Sequence, residues 1–135
     1  AVAGQMMLPG LRSYWSDTRE LMAFLRGRVE EGDFILMEAG MVGKYYLIEK
    51  GTPGHIPADI LDTWWYEDEE GEGEDAFKRA IVGRRFDYVI FDHASTPELN
   101  QELTALMPGR YELLISFPAY RFESEGRIDV FQAVK

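Results

Sequence analysis

The chain has 135 residues, of which 46% are hydrophobic, and this is enough for one folded domain with a substantial core. Its 24 acidic residues outnumber 14 basic ones, and the resulting formal charge of −10 disfavours binding to nucleic acid or to an anionic lipid surface. The absence of cysteine excludes disulfides, thiol catalysis and thiolate metal sites. No apolar run approaches the roughly 18 residues needed to cross a bilayer, so the composition predicts a soluble body.

The beginning of the chain predicts a short extension before the domain. Residues 1–16 are assigned to an N-terminal extension or linker, and residues 17–135 to a single α/β domain. The first residues have neither the charged start nor the length of a signal peptide. This start is what a cut inside a longer polypeptide would leave. A complete protein that has been processed or trimmed of a tag explains the same residues equally well.

The first helix and strand follow from their apolar spacing. Asp17 and Glu20 resemble a capping box, and the pattern after them predicts a helix over residues 18–31 that ends at Gly32. Residues 34–37 are uniformly apolar and predict a short buried strand.

The next stretch predicts mostly irregular structure. Residues 38–43 form a glycine-containing turn that leads into a short helix over residues 44–47. Residues 51–57 contain two prolines and two glycines and therefore predict a loop. Residues 63–66 are rich in β-forming side chains and predict a short strand, and the acidic run 67–75 predicts a solvated loop.

The strongest pattern lies in the middle of the chain. A helix over residues 75–82 precedes residues 88–91, where every side chain is apolar, β-branched or aromatic. Such a run is typical of the central strand of a parallel sheet that is covered by helices on both sides. Thr96 and Pro97 then supply an N-cap and a first-turn proline for the following helix.

The remaining elements complete a predicted α/β fold. The helix that begins near Pro97 should end at Pro108, and residues 111–117 alternate as a strand with one wetter face. Residues 119–122 and 128–134 predict a closing antiparallel hairpin. This order predicts a three-layer α/β/α Rossmann-like sandwich, with a mostly parallel sheet and a C-terminal antiparallel hairpin.

The candidate ligand site lies where the predicted parallel strands end. In open α/β sheets, ligands bind beyond the carboxyl ends of the strands, and these ends carry Glu38, Gly40 and Gly43 after the first strand and Asp92 and His93 after the central one. A glycine turn there lets a ligand approach backbone N–H groups. The dinucleotide-binding fingerprint needs three glycines and a later acid, whereas this stretch has two glycines and no suitable acid. A tight turn that simply requires glycine therefore explains the same residues.

The pair Asp92 and His93 also has two interpretations. It could act as an acid–base pair, because an adjacent carboxylate can tune an imidazole. Neighbouring residues usually point apart, however, and an aspartate that leaves a strand commonly caps the next turn.

The other motifs give weaker support for a functional site. His55 has no partner at metal-ligand spacing, so no metal site is predicted. The acidic run 67–75 lacks the acid spacing of a calcium loop and is better explained as a charged surface. Trp64 and Trp65 are candidates for aromatic contact with a sugar or a protein, against the more common role of core residues. No hydrolase, NTPase or metalloprotease motif occurs, so no catalytic residue and no cofactor are assigned.

Several loose hydrophobic patterns together resemble a known family. They are Glu31-Gly32-Asp33 before the first strand, Lys44-Tyr45-Tyr46-Leu47, the run from Phe86 to Asp92, Tyr111-Glu112-Leu113 and the final Val130-Phe131. This order, over about residues 17–134, is similar to the soluble C-terminal domain of bacterial membrane glycosyltransferases related to dolichyl-phosphate-mannose protein mannosyltransferases.

The resemblance implies a location and a role. In that family the domain lies on the extracytoplasmic side of the membrane, and the enzyme uses a polyprenyl-phosphate sugar donor. The catalytic acids belong to the membrane-embedded part, so no position here inherits a catalytic role. The implied partners are the membrane-embedded part of the same polypeptide and a glycan or protein acceptor.

Two other functions remain open from the sequence. One is a stand-alone Rossmann-like enzyme that binds S-adenosylmethionine or a nucleotide through Glu38, Gly40 and Asp92. The other is a protein-interaction module, for which Trp64 and Trp65 would have to form an exposed aromatic patch.

Overall fold

A computed structural model describes residues 19–38, 55, 58–61, 66–93, 97–121 and 124–135. Within these ranges the helices are α1 (Arg19–Arg26), α2 (Glu74–Val82) and α3 (Pro97–Thr104). The strands are β1 (Phe34–Met37), β2 (Asp59–Leu61), β3 (Glu67–Asp68), β4 (Gly71–Glu72), β5 (Tyr88–Asp92), β6 (Tyr111–Arg121) and β7 (Ser124–Ala133).

The fold is mixed α/β, built on a partly parallel five-stranded sheet. Its strand order is β2-β1-β5-β7-β6. β1 pairs in parallel with both β2 and β5, whereas β7 runs antiparallel to both β5 and β6. The sheet is therefore parallel on one side of β5 and antiparallel on the other.

The central strand β5 is buried along its whole length, as its apolar run predicts. Tyr88 and Ile90 belong to one apolar cluster, and Val89 and Phe91 belong to another, because successive side chains of a strand point to opposite faces. The first cluster includes Leu21 and other apolar residues of α1, and the second includes residues of α2 and α3. β5 thus joins two hydrophobic cores.

The helix predicted over residues 18–31 is longer at its C-terminal end than the observed α1. It begins before the described residues, but within them it ends at Arg26 rather than at residue 31. Gly27 follows, and glycine is a poor helix former, so the chain continues in turns up to β1. Gly32 has a φ of 83° in the last of these turns, a conformation that glycine adopts readily. Val29 nevertheless stays buried, as the apolar spacing predicts.

The acidic run is more ordered than predicted. Instead of a simple loop, it forms a two-stranded hairpin of β3 and β4, and α2 starts at Glu74. Asp68 stabilises the turn of this hairpin, because its Oδ1 accepts hydrogen bonds from the N–H groups of Glu70 (2.9 Å) and Gly71 (3.1 Å). Its carboxylate is also held by two bonds of 2.7 Å from Arg79 on α2.

The end of the chain differs from the prediction in its strand boundaries. One continuous strand, β6, replaces the separate strands predicted over residues 111–117 and 119–122. It pairs with β7 from Tyr111↔Ala133 to Arg121↔Ser124, with a bulge between Leu113 and Ile115. The predicted closing hairpin is therefore confirmed but longer, because its first strand also includes residues 111–117, which the sequence predicts as a separate strand. The helix before it, α3, ends at Thr104 rather than at Pro108.

Several predictions lie outside the described residues. These are the N-terminal extension, the capping residue Asp17, the helix over residues 44–47, most of the loop 51–57, and Thr96 as an N-cap. The strand predicted over residues 63–66 is also mostly outside, and its last residue, Tyr66, is described as buried but not as part of a strand.

Candidate functional site

The carboxyl ends of β1 and β5 bring two of the predicted site residues together. Glu38 directly follows β1, and Asp92 is the last residue of β5. Because the two strands are adjacent and parallel, the N–H group of Asp92 donates a 2.7 Å hydrogen bond to Oε2 of Glu38. Glu38 and Asp92 are only 4% and 6% exposed. These two acids thus lie together at the carboxyl ends of the parallel strands, and their role in binding a ligand stays a prediction.

A third buried polar side chain joins this edge from α3. Asn100 is fully buried, and its Nδ2 donates to the carbonyl oxygen of Asp92 at 3.2 Å. No motif in the sequence marks Asn100 as a site residue. Its position between Leu99 and Leu103 on the buried side of the helix is the signal that could have identified it, because a buried amide requires hydrogen-bond partners.

Of the two interpretations of Asp92 and His93, the structure does not show the acid–base pair, because His93 contacts a different acid. Its Nε2 lies 2.8 Å from Oδ2 of Asp129 on β7, and its backbone N–H donates to the carbonyl oxygen of Arg127. Consecutive residues at the end of a strand point to opposite sides of the sheet, so His93 and Asp92 face different neighbours. The acid next to the histidine therefore comes from a strand that is distant in sequence.

Asp129 is the centre of a hydrogen-bonded cluster formed by residues of β6 and β7 and by His93, which directly follows β5. Its Oδ1 accepts a 2.6 Å bond from the hydroxyl of Ser116, and its Oδ2 accepts one of 2.9 Å from Nε of Arg127. With His93, these contacts surround a side chain that is only 3% exposed. Burial alone would raise the pKa of Asp129, but the bonds from Ser116, Arg127 and His93 hold this pKa below its ordinary value. We call these four residues the Asp129 cluster.

The Asp129 cluster is suited to hold the sheet together rather than to transfer protons. A carboxylate that is held ionised by several donors is a weak base. The hydroxyl of Ser116 is bonded to the carboxylate and not to the imidazole, so the arrangement differs from a nucleophilic triad, in which the hydroxyl must reach the histidine.

A second polar region lies at the opposite, amino end of the parallel strands. An open cavity of about 380 Å³ is lined there by residues that include Glu30, Asp33, Asp87 and Tyr88. One oxygen of Asp33 accepts the N–H group of Glu30 at 2.7 Å, and one of Asp87 accepts the N–H group of Phe34 at 2.8 Å. These two carboxylates fix the turn before β1 and the start of β1 beside β5.

The remaining residues that the sequence singles out lie only partly within the described ranges. His55 is exposed, and no group of three or more metal-binding side chains occurs among the residues that the structure describes. Gly40, Gly43, Trp64 and Trp65 lie outside these residues, so their roles stay predictions. Within the acidic hairpin, the hydrogen bonds from Arg79 above all hold the pKa of Asp68 well below its usual range, so this carboxylate stays ionised.

Comparisons of the chain with known protein families, with curated proteins and with solved structures found no match. Among the helices of the described ranges, none is long and apolar enough to span a membrane.

Proposed function

We propose that this chain is a non-catalytic, water-facing domain of a membrane-embedded glycosyltransferase that uses a polyprenyl-phosphate sugar donor. In this proposal the domain lies on the extracytoplasmic face of the membrane and contributes contacts with the acceptor or with a partner. We further propose that the sheet and its helices form a three-layer Rossmann-like sandwich. It is supported by the apolar clusters that α1 forms with one set of strand residues and that α2 and α3 form with the other.

The observation that carries the proposal is the internal bonding of the buried polar side chains. Asp129 receives hydrogen bonds from three side chains, and Glu38 binds the backbone N–H group of Asp92. Buried polar groups that are bonded in this way stabilise one arrangement of the strands. Together with the family resemblance, this supports a scaffold whose reactive machinery belongs to another part of a longer polypeptide.

The first experiment tests whether such a polypeptide exists. The reading frame upstream of the Ala1 codon is expected to encode a series of hydrophobic helices. The full-length protein in membrane vesicles should then transfer sugar from a polyprenyl-phosphate donor, whereas the 135-residue chain alone should not. Transfer by the chain alone, or an upstream frame without hydrophobic helices, would contradict the proposal.

Variants in the full-length protein separate a scaffold from a catalytic role. Asp129→Asn should lower the thermal stability of the domain while turnover per folded molecule stays within about twofold, a difference of about 0.4 kcal/mol in the barrier. Glu112→Gln on the exposed part of β6 is the matched control, and it should change neither quantity. A loss of turnover of several orders of magnitude in correctly folded Asp129→Asn protein would assign chemistry to this domain.

A specific observation also favours a second function, binding of S-adenosylmethionine or a nucleotide by a stand-alone enzyme. Glu38 and Asp92 lie side by side at the carboxyl ends of parallel strands, where ligands of open α/β sheets bind. Thermal-shift measurements with S-adenosylmethionine and with ATP test this function. A ligand at about 100 times its Kd should stabilise the folded chain by about 2.7 kcal/mol.

The Glu38→Gln variant is the control for that measurement. A ligand held by Glu38 should stabilise the variant less than the original chain. Stabilisation that depends on Glu38 would favour the second function over the first, and the absence of any shift at millimolar ligand would count against it.

A further inference from the structure

We draw no further inference here: the strongest candidate, the open cavity at the amino ends of β1 and β5, is lined by both acidic and basic side chains, its Asp33 and Asp87 already accept backbone N–H groups, and no second observation in the described residues points to a ligand there.

Discussion

Asp129 shows how one residue can connect three strands. It lies on β7, bonds to Ser116 on β6 and bonds to His93 directly after β5. A carboxylate this deeply buried would destabilise the fold without partners, because burial penalises its charged form. Its donors remove that penalty and make the position sensitive to substitution.

The substitution Asp129→Asn tests this sensitivity. The amide keeps one oxygen acceptor but loses the charge and gives two N–H groups that face existing donors, so the free energy of unfolding should fall by about 2–3 kcal/mol. Urea denaturation at neutral pH measures this change. Glu112→Gln, at an exposed position of the neighbouring strand, should stay within about 0.5 kcal/mol of the original protein. Equal stability of the two variants would show that the Asp129 cluster contributes nothing.

The lowered pKa of Asp129 predicts a pH dependence of stability. A carboxyl whose pKa is lower in the folded than in the unfolded chain stabilises the fold above the unfolded value, about 3.9, and this contribution is lost as the pH falls through the folded-state pKa. The free energy of unfolding should therefore fall below about pH 4, and less steeply in Asp129→Asn. Urea denaturation over a pH series checks the sign, and parallel curves for both proteins would contradict it.

At the scale of elements, the acidic hairpin depends on one arginine of α2. Arg79 binds both carboxylate oxygens of Asp68, while most other acids of the hairpin are exposed. The planar guanidinium can bind two oxygens at once, and a lysine ammonium cannot reproduce that geometry. The contact therefore fixes the hairpin against the helix in a way that charge alone does not.

The variant Arg79→Lys keeps the charge and loses the paired bonds. We expect the amide protons of Glu70 and Gly71, which bond to Asp68, to exchange with solvent several-fold faster. Hydrogen exchange followed by NMR measures this. Lys78→Arg, which alters the surface pair with Glu102, serves as the control. Unchanged exchange in Arg79→Lys would mean that the hairpin holds its shape without the arginine.

The edge strand β6 contains a feature that discourages pairing with another chain. The carbonyl of Arg127 accepts the N–H group of His93 on the β5 side, so Arg127 and its β6 partner Pro118 form a pair without hydrogen bonds between β6 and β7. The backbone of Pro118 therefore faces the open edge, where proline offers no N–H group. Prolines and bulges at such positions protect sheet edges from aggregation.

Replacing Pro118 with threonine should expose this edge. The new N–H group adds a donor on the open side, and we expect more self-association as the protein concentration rises, measured by sedimentation velocity. Pro108→Thr, in the exposed turn after α3, should leave the sedimentation coefficient unchanged. If Pro118→Thr sediments like the original protein at every concentration, proline is not what protects the edge.

At the scale of the whole molecule, stability depends on β5 and the two cores beside it. Phe91 is fully buried, and its ring packs edge-to-face on Phe131 at 5.9 Å between centroids. Phe91→Ala would remove a large side chain from a packed interior and should cost about 3–5 kcal/mol. Urea denaturation measures the loss, and Leu113→Ala, at an exposed position, should cost far less. Comparable losses for both variants would contradict the assignment of the core.

Local patterns were enough for the elements that bury whole runs or stripes of apolar residues. The strand over residues 34–37, the helix near residues 75–82 and the buried strand at residues 88–91 could all be predicted, because each depends on side-chain spacing within a few residues. The position of Glu38 and Asp92 at the carboxyl ends of β1 and β5 could also be predicted, since neighbouring parallel strands end on the same side of a sheet. The contact of the β3–β4 hairpin with α2 could not be predicted, because Arg79 lies eleven residues beyond Asp68 on a separate element.

The sequence by itself determined the mixed α/β class and the central strand, since the burial of an apolar run can be predicted from the spacing of side chains within a few residues. Only the tertiary structure decided that β6 runs antiparallel as one strand and that His93 meets Asp129 rather than Asp92. These contacts join residues distant in the chain, and the direction and register of strand pairing determine which side chains meet.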